Sequence, residues 1–159
     1  AVPSDRVIEK GDFVLMDYGA GYCDYRSDMT RTVVMGEPTQ EQLDLYALVR
    51  RTHEECVAAI HPGVEGNDIF KLSKKIIGDA GYGDYYNHGL GHGVGIDIHE
   101  LPNFNRSKNI IEVGSVITME PGVYLPGVGG VRLEDYGVVT ENGYEPFTKT
   151  PHDLHVIDC

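Results

Sequence analysis

Apolar and polar positions along the chain sort it into strands, then helices, then strands again. FVLMDY, from Phe13 to Tyr18, reads as a buried strand entered by the turn-like Glu9-Lys10-Gly11-Asp12. A glycine-rich turn, Gly19-Ala20-Gly21, follows, and MTRTVVM, from Met29 to Met35, supplies a second strand. Gly36-Glu37-Pro38 breaks that pattern, and Thr39 with Gln42 forms a capping-box signature. Leu43, Tyr46, Ala47, Val49, Val57 and Ile60 then predict one long amphipathic helix, ended by His61-Pro62-Gly63. A second helix is expected from about Asn67 to Ala80, with Ile69, Phe70, Ile76 and Ile77 inward and Gly81 as its stop. The stretch from His88 to Gly95 holds too many glycines for a stable helix. Residues 115–124 and 131–140 read as further strands, and Asn142-Gly143 is a hairpin signal before a last strand at 144–148. The order β-β-α-α-loop-β-β-β is that of an α+β fold with antiparallel pairing.

Composition narrows the function classes. With 159 residues, 41% apolar and 24% charged, the chain is globular, and no apolar run is long enough to span a bilayer. The stretch AVPSDRVIEKGD lacks the basic and apolar regions of a secretory signal. Cys23, Cys56 and Cys159 are widely spaced and form no CxxC, so a reducing, cytoplasmic setting is expected rather than a disulfide scaffold. The net charge of −12 disfavours nucleic acid and membrane surfaces as partners. It also raises the question of whether some carboxylates converge on cations; two divalent ions would bring the total to about −8.

An internal echo gives that question a shape. IEKGDFVLMD, ending at Asp17, resembles IEVGSVITME, ending at Glu120, at a constant offset. Each copy is followed by a second acidic strand start: Asp28 before MTRTVV and Glu134 before DYGVV. Two related hairpins, each offering two carboxylates, could face one point across a pseudo-twofold axis. Acids are poor strand formers and costly in a core. Four of them in matching places need neutralising, by Arg31 and Arg132 or by two divalent metals. The segment HGLGHGVGIDIHELP adds His88, His92 and His99 on a glycine-rich loop whose backbone can approach a site closely. HExxH is absent, and the glycines match no phosphate loop. His53, His61, His152 and His155 lack comparable context and are expected at the surface.

Together LMDYGAGYCDYRSDMTRT, HGLGHGVGIDIHELP, ITMEPGVY and GVRLEDYGVVT resemble the pita-bread metallopeptidases: Xaa-Pro aminopeptidases, prolidases and methionine aminopeptidases. The HxxGHG and GxRxED forms look more like the Xaa-Pro branch. The resemblance implies a pita-bread fold, a pseudo-twofold antiparallel sheet with flanking helices, of which this chain would be the C-terminal portion. It implies five metal ligands, Asp17, Asp28, His92, Glu120 and Glu134, holding two divalent ions. Mn²⁺ is the expected metal, with Co²⁺ or Zn²⁺ as substitutes. Asp17 would chelate one ion, Asp28 and Glu134 would bridge both, and His92 and Glu120 would complete the other. A water between the ions would attack the scissile carbonyl. Glu120 resembles the general acid–base residue and His99 the group that stabilises the tetrahedral intermediate. His88 and Arg132 resemble residues lining the proline or carboxyl side, and Tyr124 a tyrosine near the metal shell.

The expected activity is hydrolysis of an N-terminal Xaa-Pro bond, as aminopeptidase or dipeptidase, in a homo-oligomer whose open sheet edges self-associate. Residues 1–159 would form a partial catalytic domain, because relatives carry several tens of residues before the first aspartate strand and only sixteen precede Asp17 here. The isolated chain is therefore expected to turn over peptides poorly. The rival readings are a methionine aminopeptidase, disfavoured by Arg132 and His88; a metal-free creatinase-like hydrolase; and a non-catalytic binding module. The retained ligands disfavour the last two.

Overall fold

The computed structural model describes residues 5–158, so Cys159 and the first four residues of the N-terminal stretch lie outside it. Strand β1 (Phe13–Tyr18) leads into a small ribbon, β2 (Gly21–Tyr22) and β3 (Tyr25–Arg26), where only a turn was expected. Cys23 and Asp24 form its two-residue loop, both at positive φ (48° and 70°), as a primed hairpin turn requires. Strand β4 (Met29–Met35) returns antiparallel to β1 and sets Asp17 opposite Thr30. It is buried along most of its length, whereas β1, at the sheet edge, is half-buried at its start and exposed from Met16 to Tyr18. The expectation of a buried first strand is corrected accordingly: the edge position leaves one flank of β1 uncovered.

The capping box forms as predicted. Thr39 Oγ1 accepts the Gln42 N–H at 3.2 Å, and Gln42 Oε1 accepts the Thr39 N–H at 2.9 Å, opening helix α1 (Gln40–Ala58). Its inward stripe runs through Leu45, Val49, Thr52 and Cys56, while Leu43 and Ala47 face solvent. Apolarity alone misplaced the stripe because polar Gln42, Thr52 and His53 lie in it. Gln42 Nε2 and Thr52 Oγ1 are satisfied there by the carbonyls of Gly11 and Leu48, at 2.7 and 2.8 Å. Helix α2 (Gly66–Asp79) buries Ile69, Ser73 and Ile77, and Gly81 follows it at φ 88°.

The second half builds a five-stranded sheet. Its strands are β5 (Gly91–Gly93), β6 (Glu100–Phe104), β7 (Val116–Met119), β10 (Asp135–Thr140) and β11 (Gly143–Pro146), in the order β11-β10-β7-β5-β6. A separate ribbon pairs β8 (Gly122–Leu125) with β9 (Gly129–Arg132). The two long strands expected here therefore each divide, one at Glu120-Pro121 and the other at Leu133-Glu134. Pro121 has no N–H to continue a ladder, and the chain moves from one sheet to another at these joints. Both acidic candidates fall in the joints rather than inside strands. A final strand, β12 (His155–Ile157), pairs parallel with β4 and was not foreseen.

Helix α1 serves two cores. One joins its C-terminal turns and α2 to the large sheet through Cys56, Ile60, Ile69, Phe104, Ile117 and Met119. The other packs Leu45, Tyr46 and Val49 against Val123, Val131 and Leu133 of the β8–β9 ribbon. Thr30 and Glu134 exchange backbone hydrogen bonds (Thr30 N to Glu134 O 3.4 Å, Glu134 N to Thr30 O 3.1 Å), which joins the two halves of the fold. Among the described residues no helix is long and apolar enough to cross a membrane.

Candidate metal centre and substrate cleft

Asp28 sits immediately before β4, Glu134 immediately before β10 and Glu120 immediately after β7, so three strand ends deliver carboxylates to one place. His92 arrives from β5. That strand can press against β7 only because Gly91 has no side chain: a Cβ there would lie 2.2 Å from the Thr118 carbonyl oxygen. Ligand atoms of Asp28, His92 and Glu134 lie within 4.8 Å of one another, and all three residues are buried. His92 Nε2 is 3.5 Å from Glu120 Oε1 and 3.7 Å from Asp28 Oδ2. His92 Nδ1 meets the Gly93 carbonyl at 2.9 Å, so Nδ1 carries the proton and the Nε2 lone pair faces the carboxylates.

Asp17 is the outlier. It is 52% exposed at the side chain and outside the tight group; Arg132 links it to the rest. The Arg132 guanidinium pairs with Asp17, stands 3.8 Å from Glu120 Oε2, and donates to Thr30 Oγ1 at 3.1 Å and to the Tyr124 hydroxyl at 3.3 Å. Tyr124 in turn meets His88 Nε2 at 2.9 Å. His88, His92, His99, Asp17, Glu120 and Arg132 line a cleft of about 430 Å³. The rings of His99 and His92 stand 4.3 Å apart, centre to centre.

One guanidinium for four carboxylates leaves an excess of negative charge in a largely dry site. Burial first, then repulsion from its neighbours, pushes Glu134 up; its bond from Thr30 Oγ1, at 2.6 Å, opposes only part of this. Burial likewise raises Glu120, with Asp28 and Asp17 adding to it against the pull of Arg132. Asp28 is raised by burial and by Asp17. Burial lowers His92 and His88, keeping both imidazoles neutral at neutral pH. Oxygen donors short of positive charge, together with one imidazole lone pair, fit divalent cations.

Several supporting residues escaped the sequence reading. Thr118 Oγ1 accepts the His92 N–H at 3.1 Å. Arg31 does not neutralise a candidate ligand, contrary to expectation. It pairs with Asp135 at 2.7 Å and donates to the main-chain carbonyls of Glu134 (2.7 Å), Thr30 (2.9 Å) and Thr150 (2.8 Å). Two histidines expected at the surface are not there. His53 is buried on α1, and His152 is half-buried with Nε2 2.6 Å from Asp135 Oδ2. Burial would push Asp135 up, but His152, His53 and Arg31 outweigh it and hold it below the usual carboxyl range. An ion among His53, Asp135 and His152 would face one carboxylate and the Arg31 cation, so this cluster does not fit a second metal site. The only sequence signal for it was Asp135 standing next to Glu134. Cys23 is exposed, Cys56 is buried, and both are free thiols.

The profile of metallopeptidase family M24 matches residues 1–141. The chain is 45% identical over 154 residues to the Xaa-Pro dipeptidase of Pyrococcus furiosus, covering 96% of this chain and 44% of that protein. Among solved structures it superimposes on the prolidase of Pyrococcus horikoshii OT3 with a TM-score of 0.92, at 43% identity over 95% of this chain and 44% of the other. It matches an X-Pro aminopeptidase from Thermotoga maritima at 0.93, with 35% identity, covering 97% and 44%. The chain thus spans less than half the length of these relatives. The likeness extends through both cores and both acidic hairpins and carries the expected pita-bread fold. The chain belongs to metallopeptidase family M24.

Proposed function

We propose that this chain carries the metal centre of an enzyme that hydrolyses N-terminal Xaa-Pro bonds, as dipeptidase or aminopeptidase. The observation that carries the reading is the convergence of Asp28, His92, Glu120 and Glu134 around one point with a single guanidinium to balance them. Asp17, Asp28, His92, Glu120 and Glu134 would hold two divalent ions, Mn²⁺ by preference and Co²⁺ or Zn²⁺ as substitutes. When bound, such ions supply Lewis-acid polarisation of a carbonyl and a water of lowered pKa.

The chain's own side chains account for the rest. Glu120, raised toward neutrality and lining the cleft, can accept a proton from water and return it to the leaving proline nitrogen. His99, beside His92, is placed to donate to the oxygen that gains charge. The Arg132–Tyr124–His88 chain of hydrogen bonds orients three donors along one wall, where the proline side of the substrate would lie. The reading includes a homo-oligomeric, cytoplasmic enzyme of which residues 1–159 are part of the catalytic domain. The parent relatives' names support the Xaa-Pro branch over a methionine aminopeptidase.

The test has two parts. Mn²⁺ titration of this chain, followed by electron paramagnetic resonance, should show saturable binding that His92→Ala removes. Ala-Pro and Met-Ala-Ser should then be offered to the full gene product, and Ala-Pro alone should be cleaved, with chelator abolishing it. The 159-residue chain with Mn²⁺, which spans less than half the length of its relatives, should run at least about 100-fold slower. Cleavage of Met-Ala-Ser, or metal binding indifferent to His92→Ala, would defeat the reading.

A further inference from the structure

Cations are scarce on this chain, 13 Lys+Arg against 25 Asp+Glu, so where they gather without a direct ion pair is informative. On α2, Lys71 pairs with Asp68 and Lys75 with Asp79. Lys74 lies between them and differs. Its Nζ donates to the Tyr86 carbonyl, sits 4.4 Å from the Tyr86 ring centre and 5.8 Å from that of Phe70, and has no carboxylate within ion-pair distance among the described residues. Arg106, on the segment after β6, is likewise without an acidic partner there. Lys74 and Arg106 line one pocket of about 520 Å³; burial and then the repulsion of Arg106 lower the Lys74 ammonium, and the more distant Asp84 carboxylate offsets only part of this.

This pocket is not isolated. His88, Gly89 and Asn105 belong both to its wall and to the wall of the substrate cleft. Passing from Asp17 and Glu120, past Arg132, Tyr124 and His88, to Lys74 and Arg106, the charge changes from negative to positive. A peptide whose amino end is drawn to the acids would therefore send its carboxyl-side residues toward the two cations. A packed aromatic floor and a fixed ammonium lower the cost of ordering such a contact.

We propose that Lys74 and Arg106 form an anion-accepting subsite that binds the acidic side chain of the residue following proline, so that Xaa-Pro-Glu and Xaa-Pro-Asp peptides are preferred ligands. The proposal rests on the Xaa-Pro reading of the cleft and extends it to peptides longer than two residues.

Calorimetric titration of the Mn²⁺-loaded chain with C-terminally amidated Ala-Pro-Glu and Ala-Pro-Gln tests it, since the two differ by one charge. The Glu peptide should bind about five- to tenfold tighter at low salt, as expected of one half-buried and one exposed cation. High salt should shrink the difference. The double variant Lys74→Met, Arg106→Gln should bring the two affinities to within about twofold. Because Lys74 packs on two rings, Arg106→Glu, on an exposed side chain, is the second variant; it should turn the preference toward Ala-Pro-Lys. Equal affinity of the Glu and Gln peptides for the unmodified chain would overturn the subsite and leave the cleft reading intact. Absence of saturable binding by either peptide would overturn the cleft reading and the subsite with it.

Discussion

The two acidic hairpins are alike in sequence and unlike in setting. In the first, β1 is an edge strand and Asp17 is 52% exposed; in the second, β7 and β10 lie inside a five-stranded sheet and Glu134 is 2% exposed. The same carboxylate chemistry therefore has opposite consequences. At the exposed end of edge strand β1 an acid is solvated and a guanidinium suffices to hold it, although Asp28 on the same hairpin is buried. In the sheet an acid loses its hydration and is pushed toward the protonated form by burial and by its neighbours. Without metal, the second hairpin carries most of the electrostatic cost of the site; with metal, it should contribute most of the binding.

The strongest way to break this comparison is at the junction of the hairpins. Arg31, from β4, fixes the start of β10 through Asp135 and the Glu134 carbonyl, and both side chains of the pair are almost fully buried. Arg31→Met leaves Asp135 without its cation and should cost about 3–5 kcal/mol in urea unfolding, the usual penalty for a broken buried pair. A loss below about 1 kcal/mol would mean that the hairpins are held elsewhere.

Next in size is the contrast between the two acids themselves. In chelator, Glu134→Gln should raise stability by about 1–2 kcal/mol, because it removes the cost of protonating, on folding, a carboxylate whose charge burial disfavours. Asp17→Asn should change stability by less than about 0.5 kcal/mol, as surface substitutions do. In Mn²⁺ the difference should persist as affinity, Glu134→Gln weakening binding on the order of 100-fold and Asp17→Asn about tenfold. Equal effects of the two substitutions in thermal melts and in metal titrations would erase the distinction.

The smallest effect is a pH dependence. Glu120, Glu134 and Asp28 are raised in the folded state, so the fold binds more protons than the unfolded chain above the ordinary carboxyl values, 4.5 for the two glutamates and 3.8 for Asp28. Their contribution to stability is full below those values and is lost as pH rises through the folded values. His53, held down to about 4 by burial, works in the opposite sense below the ordinary imidazole value of 6.5. Above 6.5 the carboxylates act without it, and the metal-free chain should lose stability as pH rises toward 8, by about 1 kcal/mol or less. Metal must displace protons from the same groups, so Mn²⁺ should reverse the slope. A flat profile in chelator would place the three acids in a wetter site than their burial indicates.

Much of this was legible beforehand. The capping box at Thr39, the helix stop at Gly81 and the strand at Met29–Met35 depend on short-range chemistry, and all appear where the residues imply. The repeated acidic strand ends could be read because a carboxylate after an apolar run is anomalous wherever the chain folds. Leu43 and Ala47 were misjudged because burial along α1 is decided by two separate cores, and His53 and His152 because nothing local marks a histidine that meets Asp135 from a distant segment.

The amino-acid order by itself determined the α+β arrangement, the paired acids and the histidine-bearing glycine loop, since these follow from spacing and from backbone freedom. Only the tertiary structure decided which acid is dry and which is wet, that Arg31 serves Asp135 while Arg132 serves Asp17, and that the cleft opens toward Lys74 and Arg106. Those outcomes depend on which strand lies at a sheet edge and which segments meet across it, and neither is encoded in any one stretch of the chain.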